Sequence, residues 1–493
     1  MSDLEDISAT VTKDPEFEVS FETLEDPEDA LRLSHTHKWL VVILVSMTSV
    51  CITSISSVWS LASTYIMADF GVSHEVSTLG ISLYIWCLGT GGIFLSPISE
   101  FHGRKVVYVS GLFIVFAFQF VPAFSSNFGA VLFSRAFAGF FASSFMSVAS
   151  GTFSDLFKKT KRTAHLKHDQ DEELHKALIL YSVSPFIGPG LGPIISGLVC
   201  QHINYRWQFK IMCVWSGLMT LLVLLFVPET YEPILLRRKA KRMRKTTGDE
   251  RYFAPIEVHR ASLYESILVS SKRPLMLMFK DYMTLALCFY SGFILAIIYM
   301  FFVSFPYILK TVYGFDVQSQ GLGFLGLILG LSLTALLSPY LINKWHNRLI
   351  AQNDGKHVTE HRFLPVMIGV FIAPIGLFII AWTSYPDLHW MGPISGSFVY
   401  GVGTILVFNG IFAYTVEAYR KYTASAMATN SFVRSLLSGV FPLFGLRMYE
   451  AMGIQWATTL LALFGCVLIP IPFLLYKYGA AFRKKSPYTW SDY

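Results

Sequence analysis

Apolar runs alternate along the chain with short charged or turn-rich gaps. They predict twelve membrane-spanning helices at about 39–66, 77–98, 106–125, 129–153, 177–200, 208–228, 282–308, 321–343, 364–383, 392–415, 424–446 and 456–478. Each run is close to or above the roughly 20 residues that a helix needs to cross the hydrocarbon core. The longest gap, 229–281, follows the sixth span. This layout predicts an all-α membrane protein with two pseudo-symmetric six-helix bundles, as in repeat transporters. The expected divisions are a tail over 1–38, a first bundle over 39–228, a central loop over 229–281, a second bundle over 282–478 and a tail over 479–493.

An internal correspondence supports two related halves. Arg135 precedes Gly139 by four residues and Asp155 by twenty, and Ser397 stands in the same relation to Gly401 and Glu417. Spans four and ten therefore each place a glycine in mid-span and an acid at one end.

Composition agrees with a membrane protein. Of 493 residues, 53% are hydrophobic and 15% charged, whereas soluble domains carry about 25% charged residues. An ordinary soluble enzyme is excluded. The net charge of +6 hides an asymmetry, because residues 1–33 hold 11 acids and two bases. That start has no basic segment leading into an apolar run, so it reads as a disordered acidic tail, not a cleaved signal. The remaining surplus of Lys and Arg lies in loops, which points to lipid headgroups and not to nucleic acid.

Basic residues collect in alternate gaps, at His102 to Lys105, Lys158 to Lys176, Arg237 to Lys245, Lys344 to Arg362, Arg420 with Lys421, and Arg483 to Lys485. The positive-inside rule then places both termini in the cytosol. Within the central loop, Pro233 to Lys245 (PILLRRKAKRMRK) reads as a solvated linker helix or as one lying on anionic lipid.

The six cysteines fall within or beside apolar runs, so neither a disulfide framework nor a zinc site is indicated. His165, His168 and His175 read as members of a solvated loop over 156–176. No metal or other cofactor is expected. An intramembrane enzyme would need paired acids, a Ser/His set or metal ligands inside the spans, and none is found there.

The turn between spans two and three reads SPISEFHGRK from Ser96 to Lys105. Gly103 permits a tight turn, and Glu100 and Arg104 are placed to pair with each other and with Asp155. Such a cluster can act as a latch between conformations. Span four carries RAFAG from Arg135 to Gly139, with a guanidinium several residues inside the membrane. Span five reads SPFIGPGLGP, where Gly188 and Gly192 allow close helix approach while Pro189 and Pro193 remove backbone donors and bend the helix.

These three segments resemble motifs of the major facilitator superfamily, specifically the fungal drug:proton antiporters with twelve spans. Asn204 to Trp207, Pro228 to Tyr231, Phe305 to Tyr307, Tyr414 to Tyr419 and Ser486 to Tyr488 extend the resemblance over about residues 39–490. It implies alternating access, a latch at Glu100, Gly103, Arg104, Lys105 and Asp155 with Glu417 opposite, and an antiporter motif at Gly188, Pro189, Gly192 and Pro193. It further implies a cavity lined by spans one, four, seven and ten. Candidates there are Arg135, Tyr290, Tyr299, Asn409 and Tyr414, with Arg434 added from span eleven.

The expected partners are a small organic substrate, protons and the lipid bilayer, for a monomer in the plasma membrane or the vacuolar membrane. Two deep arginines and no deep acid favour neutral or anionic compounds over polyamines. A nutrient or polyamine transporter of the same fold is the alternative. No acid lies in mid-span, so protonation is expected to act at span-end acids, Asp155 with Glu100, Asp281 or Glu417.

Overall fold

The computed structural model describes residues 15–21, 26, 29–158, 170–258, 263–352, 358–419 and 422–486. The first set of spans comprises α1 (His35–Ser57) with α2 (Trp59–Phe70), α3 (His74–His102), α4 (Arg104–Phe124), α5 (Phe128–Leu156), α6 (Gln170–His202) and α7 (Arg206–Phe226). Three shorter helices follow, α8 (Glu232–Thr247), α9 (Pro255–Val258) and α10 (Leu263–Lys280). The second set comprises α11 (Tyr282–Tyr313), α12 (Val317–Leu322) with α13 (Leu325–Gln352), α14 (Leu364–Thr383), α15 (Met391–Ala418), α16 (Thr423–Met452), and α17 (Ile454–Leu468) with α18 (Pro470–Lys485).

Local chemistry sets the helix starts. Ser34, Ser73, Asn127, Asp281 and Asp316 each accept a backbone N–H of the helix they precede, satisfying donors that the first turn leaves unpaired. Many helices run a few residues past their apolar segments. The first extends over His35–Phe70 with an interruption at Val58, at a place where no glycine or proline announces a break.

Among the described residues, eleven helical stretches are long and apolar enough to cross a membrane. The α16 helix is as long but more polar. It packs against α11 and α3, and its Thr429, Asn430, Ser435 and Ser438 are buried there. Large apolar side chains such as Phe113, Phe124, Val214, Leu225, Leu329 and Val467 face outward, a surface suited to lipid and costly in water.

Three expectations change. The reading of 1–38 as a disordered tail fails for its described part. Phe17, Val19 and Phe21 alternate with polar residues, and Phe253 accepts the Val19 N–H at 2.9 Å and donates its own N–H to the Phe17 carbonyl at 3.1 Å. Val19 packs with Ala240 and Ala254, and Phe21 with Ala30 and Leu235. Lys239 binds Asp26 at 2.8 Å and lies over the Phe21 ring.

The basic α8 is thus covered on its apolar face by the chain's own start, and is neither a bare solvated helix nor one lying by that face on lipid. Lastly, the 156–176 stretch is not all loop, since α6 begins at Gln170 and includes His175. Glu173 accepts from Trp39 at 2.8 Å and sits 2.9 Å from His35, which anchors that extra turn. His165 and His168 lie outside the described residues.

Candidate functional site

The residues singled out from the sequence fall into three groups in the structure. The first lies at the end of the bundle that carries α8 to α10 and the outer ends of α1 and α18, here the loop end. Gly103 adopts φ +98°, which disfavours any side chain, and a Cβ there would collide with the Glu229 carboxylate. That buried carboxylate accepts the backbone N–H groups of Arg104 at 2.9 Å and Lys105 at 3.3 Å. It also accepts those of Thr230 and Tyr231, so it closes the turn and sits at the positive end of α4.

The buried Arg104 guanidinium reaches Asp155 at 3.4 Å and Ser99 Oγ at 2.7 Å, and stacks 4.7 Å over the Tyr231 ring. Burial pushes the Tyr231 hydroxyl above its ordinary pKa. Arg104 and Asp155 therefore come together as expected. Glu100 does not join them. It is exposed and forms no ion pair among the described residues, and Glu229 holds the place expected for it. Lys105 contributes its backbone to the cluster.

A counterpart stands in the second set of helices. Arg362, just before α14, pairs with Glu417 near the end of α15 at 2.6 Å. Arg104 precedes span three and Asp155 ends span four; Arg362 precedes span nine and Glu417 ends span ten. The end of each set returns to the same corner, Glu229, just past α7, to the start of α4, and Arg483, in the last turn of α18, to the buried Glu360 at 2.7 Å. Beside the second cluster, Asp281 accepts from Thr284 at 2.7 Å and from the Tyr419 hydroxyl. Gly139 packs on the backbone of Tyr84 in α3, and Gly401 on Leu327 and Leu331 in α13, so the two crossings are also equivalent.

The second group is the Gly-Pro segment of α6. A Cβ on Gly188 would strike Thr53, and one on Gly192 would strike Ser57 and approach Val58 N to 2.7 Å. These glycines let α6 touch the backbone of α1 beside its interruption. The Ser57 hydroxyl donates to the Gly188 carbonyl at 3.3 Å. Pro189 and Pro193 are buried in the same helix.

The third group is the pair of deep arginines. Arg135 is 1% exposed and donates to the carbonyls of Gly80 at 2.9 Å, Ile55 at 2.7 Å and Ser56 at 3.1 Å. Its guanidinium lies 4.5 Å over Tyr84 and 5.4 Å over Trp59. It does not snorkel to the surface. It serves the carbonyls just before the interruption of the first span and ties α5 to α1 and α3.

Arg434 differs. Its guanidinium lies 5.5 Å from each of the Phe408 and Phe412 rings, and its buried Nε has no hydrogen-bond partner among the described residues. Phe186 of α6 packs on Phe408 with centroids 5.3 Å apart, so the ring beside this cation is in contact with the first set. Tyr299 stands within Coulombic reach of both arginines and bonds Ser56 at 3.1 Å. Asn409 donates to Ser338 at 2.7 Å. Tyr290 is buried within the second set, and Tyr414 packs on Phe363 and Met283 near Glu360. Neither tyrosine is brought to Arg434 by any described contact.

Contacts between the two sets occupy mid-depth and the end opposite the loops. They include Trp86 with the Leu436 carbonyl at 3.0 Å, Ser60 with the Phe302 carbonyl, Glu75 with Arg447 at 2.6 Å, and His202 with Gln318 at 2.7 Å. Gly197 and Gly321 bring α6 and α12 into backbone contact nearby.

A helical membrane body in two matched sets, closed at one end around unpaired deep polarity, defines a multi-pass transporter. The family profile described as Major Facilitator Superfamily matches residues 44–442, and the chain belongs to that superfamily. It is 44% identical over 479 residues to the Saccharomyces cerevisiae protein named "Probable drug/proton antiporter YHK8", covering 96% of this chain and 90% of the relative. It is 36% identical over 483 residues to "Efflux pump atB" of Aspergillus terreus, with 96% and 90% covered. It is 33% identical over 470 residues to "Major facilitator superfamily multidrug transporter mdrA" of Aspergillus fumigatus, with 94% and 74% covered.

Proposed function

We propose that the protein is a proton-coupled antiporter that exports drugs or amphipathic metabolites by alternating access. The observation that carries this reading is the arrangement around Arg434, a deep guanidinium whose Nε has no partner among the described residues, beside two rings of α15, one of which, Phe408, packs on Phe186 of the first set. Aromatic walls with few fixed charges suit amphipathic ligands with loose selectivity. A cation without a nearby deep acid favours neutral or anionic ones. The printed names of the relatives support drug export as the direction of transport.

Residues 39–228 and 282–478 act as the two moving bodies, with 229–281 as the tether. The loop end is cytosolic, as are both termini, and the protein works as a monomer in the plasma membrane. In the conformation described, contacts at the opposite, outer end close the exit. The paired corners, Arg104 with Asp155 and Arg362 with Glu417, act as charge latches at the loop end of each body, and both are made in this outer-closed conformation. Protonation of Asp155 or Glu417 removes one charge of a pair and shifts that two-state balance. Gly188 to Pro193 form the flexible contact of α6 on α1 along which the seal is kept.

Expression in a yeast strain stripped of its own pumps tests this. Resistance to a neutral azole should rise and its intracellular accumulation should fall. Unchanged resistance and accumulation across neutral, anionic and cationic compounds would refute export.

A further inference from the structure

A second cavity of about 500 Å³ lies at the outer end, away from Arg434. It is lined from the first set by Ser60, Tyr65 and His74, and from the second by Tyr307, Lys310 and Gln320. Phe302 and Phe315 add aromatic wall. It therefore opens across the seam that must part when the outer side opens. The Ser60 hydroxyl donates to the Phe302 carbonyl across that seam.

The lining carries one ammonium, Lys310, and one carboxylate, Asp316, and they differ in what engages them. Lys310 is exposed and makes no ion pair among the described residues. Asp316, in the same lining, is engaged by its own helix: it caps α12 by accepting the Ser319 N–H at 3.1 Å, which leaves Lys310 as the charge without a partner among the described residues. Hydrogen bonds from the Ser319 hydroxyl and its N–H hold the Asp316 carboxyl below its ordinary pKa. An unpaired ammonium beside four aromatic residues recognises a small aromatic anion: the ring system displaces water from the walls and the anionic group pairs with Lys310.

We infer that this vestibule binds a small aromatic anion from the external side and that its occupant staples the two halves together. A ligand held by both halves has more contacts with the outer-closed state than with the outer-open one. By linkage it stabilises the closed state and slows export from outside. The site thus gives the transporter a brake that answers to external aromatic acids.

The full-length protein in lipid nanodiscs, titrated calorimetrically with 2-naphthalenesulfonate, tests this. A binding event that depends on Lys310 and not on Arg434 is expected, separate from any binding at the Arg434 cavity. Lys310→Met should weaken it about tenfold, the loss of one charge-assisted contact, while Lys310→Arg keeps it. The uncharged 2-naphthalenemethanol should bind about tenfold more weakly for the same reason. Arg434→Gln should leave sulfonate binding unchanged. In Ser56→Cys protein, labelling by an impermeant maleimide from the outer side should slow with the sulfonate present and should not slow when Lys310→Met is added. Absence of binding, equal binding to the Lys310→Met variant, or loss of binding only with Arg434→Gln would overturn the inference. Binding is read without transport, so such a result leaves the export reading standing.

Discussion

Arg135→Lys keeps the charge and removes the fork. In the native protein the guanidinium donates at 2.9, 2.7 and 3.1 Å to three carbonyls on two other helices. A lysine ammonium on a flexible stem can restore one of these and leaves two buried carbonyls short of a donor. Charge-assisted hydrogen bonds contribute roughly 1.5–3 kcal/mol each, so the substitution should cost about 3–6 kcal/mol. The contacts over Tyr84 and Trp59 weaken in addition. Denaturant titration of the purified protein measures the loss, and export by the surviving folded fraction should fall through a lower maximal rate, with apparent substrate affinity little changed. A variant within about 1 kcal/mol of the parent, the range of an ordinary surface change, would show that Arg135 does not hold the interruption in place. A selective loss of substrate affinity would instead make it a cavity residue.

The remaining predictions concern the latch, the α6 contact and the α8–α9 corner. Glu229→Gln should destabilise by about 1–2 kcal/mol through loss of the charged cap on α4, while Glu100→Gln should be silent; paired unfolding titrations decide between them. Gly192→Val should abolish transport while membrane insertion and expression persist, since its side chain meets the α1 backbone; normal uptake would contradict that packing. The α8–α9 corner should respond to acid: burial raises the Glu257 pKa, but hydrogen bonds from Arg244 and the Ala254 N–H, with the Arg244 and Arg237 charges, bring it below the ordinary glutamate value. Its stabilisation is therefore present above the unfolded-state pKa and is lost as pH falls through the lower folded value. Hydrogen exchange over 240–258 should accelerate only below the ordinary glutamate range, and acceleration near neutrality would contradict the pairing.

Much of the fold was legible because a membrane span leaves a composition signal that tertiary context cannot hide. The equivalence of Gly139 with Gly401, and of Asp155 with Glu417, was also readable, and space confirms it in the matching helix crossings and ion pairs. Glu229 was visible as a span-end acid, but its partners lie 124 and 125 residues earlier in the chain, a distance that spacing rules do not bridge. Glu100 is near Arg104 in sequence, but it stays exposed and makes no ion pair among the described residues. Arg135 announced a deep cation; its role depends on an interruption at Val58, where Ser-Ser-Val-Trp gives no helix-breaking signal. The tail carried a signal that its acidity masked, the period-two alternation of Phe17, Val19 and Phe21, which is the mark of a half-buried extended segment.

Transport into inside-out vesicles tests the central claim most directly. With an imposed proton gradient, acid inside, a neutral azole or an aromatic organic acid should accumulate in the lumen, spermidine should accumulate less, and nigericin should collapse the accumulation. Accumulation that persists unchanged after the gradient is collapsed would contradict proton coupling and reduce Asp155 and Glu417 to structural partners of Arg104 and Arg362.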